Sequence, residues 1–76
     1  MYLNCINDSK YYIVDKINAN EKIKRRLYDI GLVSGTKIKL LFVSPSKRIK
    51  AYLIRDSVIA IRDNDASLIK VSELND

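Results

Sequence analysis

Few side chains in this sequence could carry chemistry. Histidine is absent, so the usual general base is missing and no triad of the ordinary kind can form. Cys5 is the sole cysteine. That excludes an internal disulfide and leaves zinc or iron almost no soft or imidazole ligands. With no cation beside it in sequence to lower its pKa, Cys5 reads as a small apolar filler rather than a reactive thiol. The nine carboxylates are scattered. Asp63 and Asp65 are the closest pair, but they lack the further oxygen ligands and the glycine of a calcium loop. The preferred reading of Asp63-Asn64-Asp65 is a turn or helix cap. No glycine-rich string could cradle a phosphate. The chain reads as a non-enzyme with no catalytic residue, no cofactor and no tight metal site.

The cations are more informative. The net charge is +5, unevenly spread. Residues 22–55 hold ten basic groups against Asp29 alone, a local net of +9. The last 21 residues hold five acids against Arg62 and Lys70, a net of −3. A basic middle with an acidic end suits an anionic partner such as an acidic protein surface, nucleic acid or lipid; it is also compatible with a merely solvated surface.

The densest basic run, Lys24-Arg25-Arg26, must be positioned by the elements around it. Ile23, Leu27 and Ile30 fall at i, i+4 and i+7, one stripe of a short helix that directs most of the cations outward. Asn20 is its cap and Glu21 suits its first turn. Gly31 fits the left-handed position past the helix end, and Leu32 folds back on the last turn. Ser34-Gly35 is turn chemistry. From Thr36 to Val43 the chain reads as a strand whose alternation breaks at Leu41, the mark of a bulge or of burial on both faces.

Further strands are expected over Tyr11–Ile17, Ile49–Ile54, Val58–Arg62 and a short closing segment at Ile69 and Val71. In Tyr11–Ile17 the apolar positions do not share one parity, so the inner face is open. Arg55-Asp56-Ser57 is a tight connection, Ser44-Pro45-Ser46 a turn with Lys47-Arg48 at its tip, and Ser72 to Asp76 a frayed tail. Seventy-six residues make one domain, 1–76. At this size, without disulfide or zinc, the fold must hold by packing, by closing its sheet or by self-association, so a weak homo-oligomer is an option. The fold class is mainly β: a small barrel of about five strands with one short helix near the N-terminal third. No apolar run approaches the ~18 residues of a membrane span, and Met1 to Lys10 does not read as a signal peptide. A cytoplasmic location is the default expectation.

The string RRLYDIGLVSGTKIKL, residues 25–40, resembles the signature of the FeoA family, which usually reads close to RRLxDLGLxPGxxVxV. The segment IRDSVIAIRDNDASLIKV, residues 54–71, resembles the family's closing pattern VRGxxLxLRxxEAxxIxV. Ser34 stands where proline is common, Asp56 replaces the hairpin glycine, and the loop that often reads APLGDP is here Ser44-Pro45-Ser46-Lys47-Arg48. FeoA proteins are small cytosolic accessories of bacterial ferrous-iron uptake with SH3-like barrels. The resemblance implies that fold here, with Leu3 and Ile6 covering one barrel end. It also implies docking on FeoB, the ferrous-iron permease and membrane GTPase.

On that reading the partner surface is Lys24, Arg25 and Arg26 with Leu32, Val33, Ser34, Gly35 and Thr36. Two other classes compete. A nucleic-acid-binding barrel would use the charge with Tyr11, Tyr12, Tyr28 and Tyr52 as stacking platforms, but tyrosines in apolar segments are better read as core or edge packing. A regulatory module related to the last barrel of metal-dependent repressors would need DNA-reading helices that this chain lacks. The accessory reading is preferred.

Overall fold

The sheet begins where β-branched and aromatic residues run almost unbroken, and β1 spans Tyr11–Ile17. A computed structural model describes residues 1–74; Asn75 and Asp76, the end of the expected tail, lie outside the described residues. After β1 comes helix α1 (Glu21–Asp29), then β2 (Lys37–Val43), β3 (Ile49–Ile54), β4 (Ser57–Arg62), a one-turn helix α2 (Asp63–Ala66) and β5 (Ile69–Glu73). The strands form one antiparallel sheet in the order β4-β3-β2-β1-β5. It is mainly β with the SH3-like architecture. Ser72 and Glu73 belong to β5 rather than to a frayed tail: their strand pairs with β1, and the Ser72 hydroxyl donates to the Asp15 carboxylate.

The barrel keeps a seam between β4 and β5, the two ends of the strand order. Two short pieces cover it. α2 links the two strands, and a 3-10 turn at Leu3–Cys5 packs against α2 and β5. The outer edge of β5 is satisfied by the N-terminus: Val71 N–H donates to the Met1 carbonyl at 2.8 Å, and Tyr2 bridges Lys70. Leu3 and Ile6 are buried at this end. Cys5 is exposed, contrary to the filler reading. The 3-10 turn places Leu3 and Ile6 three residues apart on its inner side, so Cys5 between them faces out.

Two bulges set the faces. In β1 the register with β5 shifts between Val14 and Lys16. Tyr12 and Val14 point inward before the shift and Ile17 after it, which resolves the mixed parity. In β2 the shift lies between Leu40 and Phe42. The break at Leu41 is therefore a bulge and not double burial, since Leu41, Phe42 and Val43 are all exposed. Tyr12 and Tyr52 are core residues, whereas Tyr2, Tyr11 and Tyr28 are exposed rather than packed inside. Lys39 Nζ sits 5.2 Å from the Tyr11 ring centroid, a cation–π contact. No helix among the described residues is long and apolar enough to cross a membrane.

Candidate partner-binding surface

Helix α1 starts where the Asn20 side chain accepts the Ile23 N–H at 3.0 Å, and Glu21 lies in its positive first turn. Leu27 is buried and Ile23 packs partly against the core. Ile30 does not complete the stripe. The helix ends at Asp29, so Ile30 has left helical geometry and is 37% exposed. Leu32 takes the third apolar place and is fully buried.

The reason is a two-bond helix stop. Gly31 has φ +96°. Its N–H donates to the Tyr28 carbonyl at 3.0 Å, and Leu32 N–H donates to the Leu27 carbonyl at 3.0 Å. This is the Schellman arrangement, which returns the chain across the helix end and turns Leu32 inward.

The turn that follows is bracketed just as firmly. Thr36 N–H donates to the Val33 carbonyl at 3.1 Å, with Gly35 at φ +91°, the positive φ that a type II turn needs at this position. The Thr36 hydroxyl donates to the Gly31 carbonyl at 3.1 Å and accepts from Val33 N–H at 3.3 Å. Gly35 N–H donates to the Val14 carbonyl at 2.8 Å, and the Ser34 hydroxyl to the Asp15 carbonyl at 3.0 Å. The turn is thereby fixed to β1.

These bonds divide the residues expected to meet a partner. Arg25, Arg26, Ser34 and Gly35 are exposed, and Lys24 and Val33 are half-buried. Leu32 and Thr36 are buried. They lie beneath the surface that the other residues form. Among the described residues the two halves line different recesses. Arg25 and Arg26 line a shallow recess with Lys22, Glu21 and Asp29. The turn 33–36 lines another with Lys37 and Arg55.

Arg55 is the residue that sequence reasoning missed. A Cβ at Gly31 would meet Arg55 Cδ and Ile54 Cγ2, each at 3.6 Å, so Arg55 lies against the helix stop. It also holds a left-handed backbone, φ +50°, followed by Asp56 at φ +65°. Two consecutive positive φ values between the paired Ile54 and Ser57 make a type I′ hairpin. An arginine in that geometry is a signal visible only once the turn is seen. Between residues 30 and 55 the chain has no carboxylate; Asp56, which follows Arg55 in the turn, lines a recess with Arg55 and Lys37.

The carboxylate pair serves structure. Asp63 and Asp65 stand in the first turn of α2. Lys50 Nζ lies 3.2 Å from Asp63 Oδ1 and donates to the Asn4 carbonyl at 2.8 Å, tying β3 to the 3-10 turn and α2. Beside them the Tyr52 phenol is fully buried, and its hydroxyl has no hydrogen-bond partner among the described residues. Burial pushes its pKa far above the ordinary value, and the charge of Asp63 adds to this. Tyr12 is raised by burial, and its hydroxyl meets the Asp8 carboxylate at 3.2 Å. Among the described residues no three His, Cys, Asp or Glu side chains come together as a metal site.

Comparison with known proteins gives a consistent result. A family model described as the FeoA domain matches residues 1–73. A protein of Helicobacter pylori strain J99, provisionally named Fe(2+) transport protein A, is 31% identical over 74 residues, covering 96% of this chain and 95% of its own. The solution structure of a FeoA protein from Chlorobium tepidum superposes with a TM-score of 0.89 at 29% identity, covering 99% of this chain and 71% of that one. A manganese-dependent transcriptional repressor superposes with a TM-score of 0.87 at 19% identity, covering 97% of this chain and 41% of that one. The last likeness shows a shared fold alone.

Proposed function

This chain belongs to the FeoA family, and from that premise we propose that it is a non-catalytic cytosolic accessory of ferrous-iron uptake that docks on a FeoB-type membrane GTPase. The observation that carries the docking reading is the barrel end at Gly31. There the turn 33–35, Lys37 and Arg55 form an exposed cationic surface held rigid by the Schellman stop and the Thr36 bracket. A rigid, pre-shaped surface loses little conformational entropy on binding. Arg25 and Arg26, set on the outer face of α1, lie apart from it and act in steering. Val33 supplies an apolar contact at the centre, and Leu32 and Thr36 hold the loop from below.

Steering by exposed charge has a measurable signature. Association of the purified protein with the cytosolic part of FeoB should slow as salt rises. Arg25→Glu with Arg26→Glu should slow it at low salt while the thermal midpoint stays put, because surface changes of this kind shift stability by less than about 0.5 kcal/mol. Tight binding to any single-stranded nucleic acid at physiological salt, with no response to FeoB, would replace this reading by the nucleic-acid one.

A further inference from the structure

The second unusual surface lies at the far end of β2 from the turn 33–36. β2 is seven residues long, so its ends are about 20 Å apart. The bulge at Leu41 changes what β2 shows to solvent. Leu40 pairs with Tyr52, facing the core, but Phe42 pairs with Ala51 and Val43 with Lys50. Phe42 is thereby turned out of the core and is 63% exposed. Leu41, Val43 and Ile49 are exposed around it. Phe42 and Val43, as neighbours in a strand, face opposite ways, so this end of β2 shows an exposed apolar side chain on each face.

The tip of the arm formed by β2 and β3 is a built loop. Ser44 N–H donates to the Ile49 carbonyl and Lys47 N–H to the Ser44 carbonyl, each at 2.9 Å. Lys47 has φ 63°, and Lys47 and Arg48 are both exposed. Asp63, the carboxylate that borders the loop, is held by Lys50.

We propose that this arm is a peripheral membrane-binding tip: Phe42, with Leu41, Val43 and Ile49, enters the interface of an anionic bilayer while Lys47 and Arg48 meet lipid phosphates. Four exposed bulky apolar side chains at this end of β2 and β3, beside cations that form no ion pair among the described residues, combine the two signals that reversible anchoring requires. A bilayer fits better than a protein groove. A groove would cover one face of the arm, whereas a fluid interface takes up both. A membrane at this tip leaves the Gly31 end free, so the inference does not depend on the docking reading above.

The test uses the full chain with Phe42→Trp as a reporter, since the protein has no tryptophan. Vesicles of phosphatidylcholine carrying about a third phosphatidylglycerol should shift the emission to the blue and sediment the protein, with the effect reversed by high salt. Vesicles of phosphatidylcholine alone should do neither. Lys47→Glu with Arg48→Glu should lower the partition coefficient more than about tenfold, since each cation near an anionic leaflet is worth about fivefold. Phe42→Ser, at an exposed site, should lower it while leaving the thermal midpoint unchanged. An unshifted emission on the anionic vesicles would overturn the proposal. So would an equal response on neutral vesicles, or binding indifferent to both sets of substitutions.

Discussion

The Leu32 amide donates to the Leu27 carbonyl at 3.0 Å, and both side chains stand in the core. One bond thus ends α1, turns the chain inward and sets the start of the turn that carries the proposed docking surface. It depends on Gly31 at φ +96°. The space at Gly31 is ordinary, with neighbours at 3.6 Å from an added Cβ, so the cost of a side chain there is backbone strain and not collision. Gly31→Ala should destabilise by about 1–2 kcal/mol and Gly31→Val by more. For a domain this small, 1 kcal/mol is about 4–8 °C in the midpoint. A thermal melt that leaves both variants at the wild-type midpoint would remove the helix-stop argument.

The other end of α1 rests on Asn20. Its side chain satisfies the Ile23 amide, one of the helix's unpaired donors. Asn20→Ala should cost about 1 kcal/mol, and Asn20→Asp should restore most of it. Amide exchange at Ile23 should quicken in the alanine variant first; protection there equal to wild type would contradict the cap.

Tyr52 offers a stabilising change. Its hydroxyl is buried without a partner among the described residues, so Tyr52→Phe should be neutral or stabilise by up to about 1 kcal/mol. The same phenol sets an alkaline limit. Its folded pKa is raised above the ordinary 10.0, so the folded state keeps the neutral form. The stabilising contribution is fully present below pH 10. It is lost as the pH rises through and beyond that value, where the unfolded chain ionises and the folded one does not. Tyr12 acts in the same sense. Stability measured against pH should fall above about pH 10, and the fall should be shallower in Tyr52→Phe. An identical alkaline slope in both proteins would show that Tyr52 is not its source.

Much of this fold was legible because residue type and spacing carry it directly. Tyr11–Ile17 and Ile49–Ile54 are strands over the ranges their composition marks. Asn20, Gly31 and Gly35 announce a cap and two positive-φ positions in their own chemistry. What was not legible depends on partners distant in sequence. The inner face of β1 is fixed by a register shift against β5. Thr36 looks like a surface-turn residue until the bond from its hydroxyl to the Gly31 carbonyl draws it in, whereas the return of Leu32 onto the helix end follows from Gly31 itself. Arg55 joins the candidate site only because the β3–β4 hairpin brings it against Gly31. Cys5 was misread for the same reason, its exposure being set by the packing of a 3-10 turn.

Metal binding is expected to be weak. Histidine is absent, Cys5 is the one cysteine, and Asp63 is engaged with Lys50. Anaerobic calorimetric titration with ferrous iron or zinc should show no submicromolar site, because the donor set suits neither ion. A stoichiometric site of that affinity would contradict this expectation.

The central claim is that the cationic barrel end docks on the permease, and Arg55→Gly tests it most directly. The substitution removes the charge and also relieves the left-handed backbone at φ +50°, so the fold should be as stable as wild type or more so. Equilibrium binding to purified FeoB in detergent, at physiological salt, separates the two roles of Arg55. The account predicts affinity lower by about tenfold or more, the loss expected when an interface arginine contributes at the centre of a contact, with an unchanged or raised thermal midpoint. Wild-type affinity in Arg55→Gly, or no binding of the wild-type chain to FeoB at all, would contradict it.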